Sequence, residues 1–304
     1  MLTRRPSLPN DRKGWARPIE GAEWIGFALD QCEGAAFVMF KRLQRRFGGG
    51  AVDVDTQVLA GVTRPGDTFP GQVILRAVDE DVTVESLVLR VVAEYAHLDT
   101  GEAEVDEIGY QYVDGPFTVG KEPRQARFSL RLPWETPITE LAGLALGPVL
   151  RLQTFLDDVN GQDAADHDLL HVSSLPLHEA IMDAFALSGW TFQSSRLAGE
   201  RVPAADQIFD FHQSFILAER SPAAGGPDQL EVVFLTNAVG CEVFVRPAAP
   251  EGRYWNDRPA AHRFIAAHHD LDRVDWSAEI RRWLSEAGHA APPGIDRVRR
   301  AEGR

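Results

Sequence analysis

The sequence predicts an all-β protein made of two tandem antiparallel β-sandwich domains with a linking helix and short terminal helices. Three observations lead there. Ala126, Phe128, Leu130 and Leu132 alternate with Arg127, Ser129 and Arg131, the period of a strand buried on one face, and Pro133 and Pro137 close it off. Similar short stretches, separated by turn residues, recur along most of the chain. Beyond residue 50, helical spacing is confined to two short segments, so no helices are available to cross between parallel strands.

In order, residues 1–36 hold Pro6, Pro9, Gly14 and Pro18 among scattered charges with no clear period, which reads as a poorly ordered extension. Met39 is a candidate biological start. Segment 37–50 places Phe40, Leu43 and Phe47 on one helical face, rings them with Lys41, Arg42, Arg45 and Arg46, and ends in Gly48, Gly49 and Gly50. These seven apolar and basic residues form a basic amphipathic helix and are the candidate partner contacts; an anionic membrane surface is a second target for them. The same apolar face is also suited to packing on the protein's own sandwich.

From Ala51 the period becomes two. Val52, Val54 and Val58 alternate with Asp53, Asp55 and Gln57, and Pro65-Gly66 then suits the centre of a type II turn before a strand over 72–78. Leu87, Leu89, Val91, Ala93 and Tyr95 share one face of a long strand, with further strands expected at 105–113, 124–132, 149–156 and 168–172. This sandwich spans 51–173. Pro176 suits a first helical turn, Leu177, Ile181 and Phe185 recur every fourth residue, and Gly189 follows; this helix opens a second sandwich, 174–289. Its strands are expected at 190–197, 207–218, 229–236 and 241–246, followed by a long surface loop from Pro247 to Arg258. Asp275 is the expected N-cap of a last helix, Trp276–Ala287, with Trp276, Ile280 and Trp283 or Leu284 facing inward. Residues 290–304, with Pro292 and Pro293, read as a disordered tail.

A chain of 304 residues, 44% hydrophobic and 25% charged, has material for more than one core. Its net charge of −14 disfavours nucleic acid, which requires a basic surface. No apolar run is long enough to span a bilayer and no signal-peptide core precedes residue 36, so a cytoplasmic location is expected. Cys32 and Cys241 are far apart, and Cys241 sits in the apolar pattern CEVFV as a buried free thiol.

Chemistry-bearing clusters are few. Asp157, Asp158, Asp163, Asp166 and Asp168 suggest a hard cation such as calcium, but their spacing does not match an EF-hand loop, and a solvated hairpin uses Asp in the same way. His268, His269, Asp270 and Asp272 contain zinc-ligand types, yet adjacent histidines point apart and no third ligand follows. His178-Glu179 only begins H-E-x-x-H, since residue 182 is Met182. No nucleophile elbow, Walker loop or dinucleotide fingerprint occurs, so neither an enzyme nor a cofactor is expected. Between Asp79 and Asp114 lie eleven acidic residues against Arg90 alone, which makes one edge or face of the first sandwich negative. Such charge either steers a basic partner or keeps strand edges apart.

Several phrases together resemble the bacterial sporulation-control protein family of the stage-zero sporulation protein M type. They are MFKRLQRRFGGG at 39–50, AVDVDTQVLAGVTRPGDTFPGQVIL at 51–75, RFSLRLPWETPIT, LDDVNGQDAADHD, PLHEAIMDAFALSGW and DQLEVVFL. The resemblance covers roughly Phe40 to Trp283. It departs in the extension before Met39 and in TELAGLALGPVLRLQTFL, which is longer than expected. It implies an arrestin-like pair of β-sandwiches with no catalytic centre, and a regulatory or adaptor role in developmental or cell-cycle control through protein contacts. Two alternatives stay open. One is a small-ligand or carbohydrate-binding module using Tyr254 and Trp255, and the other is a calcium-dependent module at the 157–168 loop.

Overall fold

The computed structural model describes residues 51–96, 101–158, 164–220, 228–250 and 252–287. The extension, the basic segment 37–50 and the tail lie outside them. The N-terminal half supplies β1 (Val52–Val58), β2 (Thr68–Ala77), β3 (Val82–Ala96), β4 (Ala103–Asp114), β5 (Phe117–Val119) and β6 (Arg124–Arg131). A two-residue pair, β7 (Glu140–Leu141) and β8 (Leu144–Ala145), precedes β9 (Val149–Asp158) and β10 (Ala164–Leu169). Then come α1 (Pro176–Leu187), β11 (Trp190–Ala198), β12 (His212–Glu219), β13 (Gln229–Thr236), β14 (Gly240–Pro247), β15 (His262–Ala267) and α2 (Trp276–Glu286).

The architecture is all-β, with sheets packed in sandwich fashion. β1, β2 and β6 form an antiparallel sheet whose inward row includes Phe69, Val73, Leu75, Ala126, Phe128 and Leu130, all buried. Facing it, β10, β9 and β3 run on with β4 and β5 on the far side of β3. Leu87, Leu89, Val91 and Ala93 are fully buried, so the alternation read from sequence is the alternation in space. The Arg64–Asp67 turn has its expected form: Asp67 N donates to Arg64 O at 3.1 Å and Gly66 takes φ +81°. A Cβ at Gly66 would sit 2.6 Å from the Trp134 ring, so glycine is required there both by conformation and by space.

β11 to β15 form an antiparallel meander that meets β3 by a single parallel pair, Ala198 with Ala96. One continuous apolar cluster nevertheless runs from β1 through α1 to α2. The helices behave as their spacing predicts. Leu177, Ile181 and Phe185 are buried in α1, and Gly189 follows it at φ +94°. Asp275 caps α2 by accepting from Ala278 N, while Trp276, Ile280, Trp283 and Leu284 are all buried.

Three expectations are corrected. The strand expected at 168–172 runs instead over Ala164–Leu169, because the acidic segment ladders antiparallel on β9, from Ala164 opposite Leu156 to Leu169 opposite Arg151, while Thr56 N of β1 donates to Asp166 Oδ2 at 2.8 Å. The strand expected from 207 begins at His212, since Gln207 turns inward to cap the preceding loop, its Oε1 accepting from Val202 N at 2.8 Å. The stretch 247–258 is not simply a surface loop. It contains a 3-10 turn at Trp255–Asp257, and Arg258 is buried.

Candidate functional site

All seven partner-contact candidates, Phe40, Lys41, Arg42, Leu43, Arg45, Arg46 and Phe47, lie outside the described residues, as does Asp163. Among the described residues no three His, Cys, Asp or Glu side chains come together in a way that could hold a metal ion. In the acidic hairpin, Asp168 is half-buried and its carboxyl is pushed up to about 7 by burial and by the charges of Asp166 and Asp55. In the histidine knot, the His268 ring meets Trp134 at a tilt with centroids 5.5 Å apart and contacts Asn237 O at 3.0 Å, while His269 is exposed. Cys241 is buried and free, and burial pushes its thiol up to about 12.

His178 proves to be a core residue. Its Nε2 lies 2.9 Å from Thr236 Oγ1 and its ring stacks on Phe234 at 4.6 Å. Burial drives its pKa down to about 3, so it is neutral at physiological pH. His212 is likewise held neutral, at about 4, again chiefly by burial. A cavity of about 20 Å³ lies among Trp134, Thr136, His178, His212, Phe234 and Thr236. That is room for one water-sized group and no metabolite.

β4 is an edge strand that exposes large side chains. Among the described residues β4 pairs with β3 alone, so its other edge carries no ladder. Val105 (55%), Tyr110 (56%) and Tyr112 (51%) are exposed on it, and Glu107 shares their face. Register shifts leave Ile108 as an extra residue opposite Val91 and Val92, and Ile108 turns into the core. The bulge therefore keeps Tyr110 and Tyr112 on the face of Val105 and Glu107. β4 carries Glu104, Asp106, Glu107 and Asp114 and no Lys or Arg. Asp106 accepts from Tyr95 Oη at 2.7 Å, which with burial raises the phenol's pKa. Arg90 Nε lies 3.4 Å from Glu107 and its guanidinium lies 4.8 Å from the centre of the Phe155 ring.

A family model described as SpoOM protein matches residues 40–246. The chain belongs to the Spo0M family. The crystal structure of Spo0M, a sporulation control protein from Bacillus subtilis, matches with a TM-score of 0.70 and 23% identity, over 78% of this chain and 99% of that one. At that identity the likeness shows the fold alone. The putative ApaA protein of Bordetella pertussis (14% identity, 40% of this chain and 91% of that one, TM-score 0.22) is too distant to carry an argument. So is the alkylpurine DNA glycosylase AlkC of Pseudomonas fluorescens (15%, 41% and 31%, TM-score 0.21). No curated protein matches.

Sequence reasoning missed a second feature of this Spo0M-family chain, a buried network of charge on the outer face of β12 to β14. Glu231 sits at its centre, 2.6 Å from Arg246 Nε and 2.9 Å from Arg258 Nη1, and accepts from Ser214 Oγ at 2.7 Å. Arg258 Nη2 reaches Glu200 Oε1 at 3.0 Å. Burial opposes the Glu231 charge, but the Arg246 and Ser214 hydrogen bonds outweigh it and hold the carboxyl below its ordinary range. Trp255 covers the network: Arg246 lies 3.7 Å from its ring centre, His212 and Phe244 meet it edge to face, and its N donates to Glu200. The expected aromatic platform is thus engaged with the protein's own arginine. The available signal was a charged residue inside an apolar strand, Glu231 in QLEVVFLT and Arg246 in CEVFVRP.

Proposed function

We propose that this Spo0M-family protein is a non-enzymatic cytoplasmic adaptor that acts in developmental or cell-cycle control by binding other proteins. Family membership supports the regulatory setting. The observation that carries the protein-binding reading is β4, twelve residues long, laddered on one side only among the described residues and exposing Val105, Tyr110 and Tyr112. A sheet edge of this kind offers backbone donors and acceptors to an extended segment, with alternate side chains supplying selectivity. No helix among the described residues is long and apolar enough to cross a membrane. The basic residues Lys41, Arg42, Arg45 and Arg46, with Phe40, Leu43 and Phe47, are proposed as a second contact region.

The test is affinity capture by the full chain after brief crosslinking in the native cytoplasm. The unaltered chain is compared with a Tyr110→Lys/Tyr112→Lys variant and a Phe40→Asp/Leu43→Asp variant. A protein recovered reproducibly by the unaltered chain, and lost with either variant while thermal melting is unchanged, is the expected result. Failure of the unaltered chain to retain any protein overturns the reading.

A further inference from the structure

We infer that the free edge of β4 takes a short, extended, arginine- or lysine-rich segment of a partner protein as an added antiparallel or parallel strand. This rests on the protein-binding reading above and names the chemistry of the partner at that site.

Three properties of the edge select such an occupant. The first is charge: Glu104, Asp106, Glu107 and Asp114 lie on the strand itself, Glu94 stands opposite on β3, and Arg90 is the only Lys or Arg between positions 79 and 114. Asp106 is held by Tyr95, Asp114 pairs with Arg124 at 2.9 Å, Glu107 with Arg90 at 3.4 Å and Glu94 with Arg151, so five carboxylates face three arginines and the local field remains negative. An approaching segment with the same sign is repelled, and one with positive side chains is attracted. The second property is the row Val105, Glu107, Tyr110 and Tyr112 on a single face. An added strand places every second side chain beside that row, where an arginine or lysine can lie against a tyrosine ring and pair with Glu107. Apolar or neutral segments would satisfy the backbone but add no charge to balance the excess of carboxylates over arginines.

The third property is length. The bulge at Ile108 breaks the edge into a regular stretch of Ala103–Glu107 and a second from Gly109 to Tyr112. A bulge limits pairing with long flat edges and so guards against runaway association, while leaving room for about five residues of partner. A short basic segment fits this better than a strand from a large sheet.

The probe is a fluorescein-labelled peptide of alternating arginine and threonine, nine residues long, added to the full-length protein. Controls carry glutamate for arginine, or N-methylated backbone at alternate positions. Expected are saturable binding by the arginine peptide, weakening about tenfold or more between low and moderate salt, and loss of binding for both controls. Glu107→Lys/Tyr110→Lys should weaken it by at least about fivefold with the melting temperature unchanged. Equal binding of the N-methylated peptide overturns strand addition, and binding unaffected by the double substitution overturns the location.

A photo-crosslinker at position 105 in the native cytoplasm separates this inference from the one it rests on. A partner crosslinked there and displaced by the arginine peptide supports both. A partner crosslinked there but indifferent to that peptide leaves protein binding standing and sinks the basic-segment inference. Crosslinking only within the same polypeptide, or to nothing, overturns the inference, and failure of capture as well removes the adaptor reading.

Discussion

The two ends of the large sheet solve burial differently. β3, β4 and β9 bury one face against β1, β2 and β6 and leave the other to water, so Arg90, Glu107, Glu94 and Arg151 sit on a wet surface as exposed pairs. β12, β13 and β14 are covered on both faces, by the main core on one and by a smaller cluster of Val202, Val233, Leu235 and Phe244 under the loops on the other. There Glu231 and Arg246 cannot reach solvent, and with Arg258 and Glu200 from the neighbouring loops they satisfy one another. The same residue types are therefore surface chemistry at one end of the sheet and internal architecture at the other.

The largest way to break that contrast is Glu231→Ala, which strands two arginines in the interior. It should destabilise the fold by about 3–5 kcal/mol in urea unfolding, whereas Glu107→Ala, the matching change on the wet face, should cost less than about 1 kcal/mol. Comparable losses for the two would mean that the covered face is hydrated after all.

Acid sharpens the same comparison. His178 and His212 stay neutral in the folded state with pKa values of about 3 and about 4, while an unfolded histidine titrates near about 6.5. Between those values the unfolded chain binds more protons, so stability is complete above roughly pH 6.5 and falls as pH drops toward 4. The expected loss is about 2–3 kcal/mol per histidine by pH 4.5. His178→Gln should remove roughly half of this acid dependence, and an unchanged slope in urea midpoints between pH 7.5 and 4.5 would contradict it. Asp168 works in the opposite direction. Its raised folded pKa of about 7 gives stability that is full below about pH 4 and lost as pH rises through 7, an effect reduced by solvent at its half-exposed site.

Smaller effects test the Arg64–Asp67 turn and the last helix. Gly66→Ala forces a side chain into the Trp134 ring at positive φ and should cost about 1–3 kcal/mol in thermal or urea unfolding. Asp275→Ala removes the cap from α2 and should cost about 1 kcal/mol, recovered largely by Asp275→Ser. A Gly66→Ala protein as stable as the parent would show that the turn can be rebuilt without loss.

Legibility followed the same division. Where one face is wet, as in β6, alternation of Ala126, Phe128 and Leu130 with Arg127, Ser129 and Arg131 declares both the strand and its inward face. Where both faces are dry, as in β13, QLEVVFLT announces a strand but not what covers it, and Glu231 looks like any charge. β15 passed unnoticed because HRFIAA is short and its polar edge resembles a loop. Trp255 looked like a free aromatic because the residues that claim it, Arg246, His212 and Phe244, are distant in the chain.

Residue order alone declares the all-β class, the two helices with their inward faces and the Asp275 cap, the Pro65-Gly66 turn, the acidic run from Asp79 to Asp114, and the family. Each of these is set by spacing or composition within a few residues, where the geometry of the chain leaves little choice. Only the tertiary structure decided which edge of the acidic run stays unpaired, that Asp166 is held by β1, and that Glu200, Glu231, Arg246 and Arg258 close on one another. Those outcomes depend on which strands become neighbours and which faces lose water, and both are fixed by contacts between residues far apart in the chain.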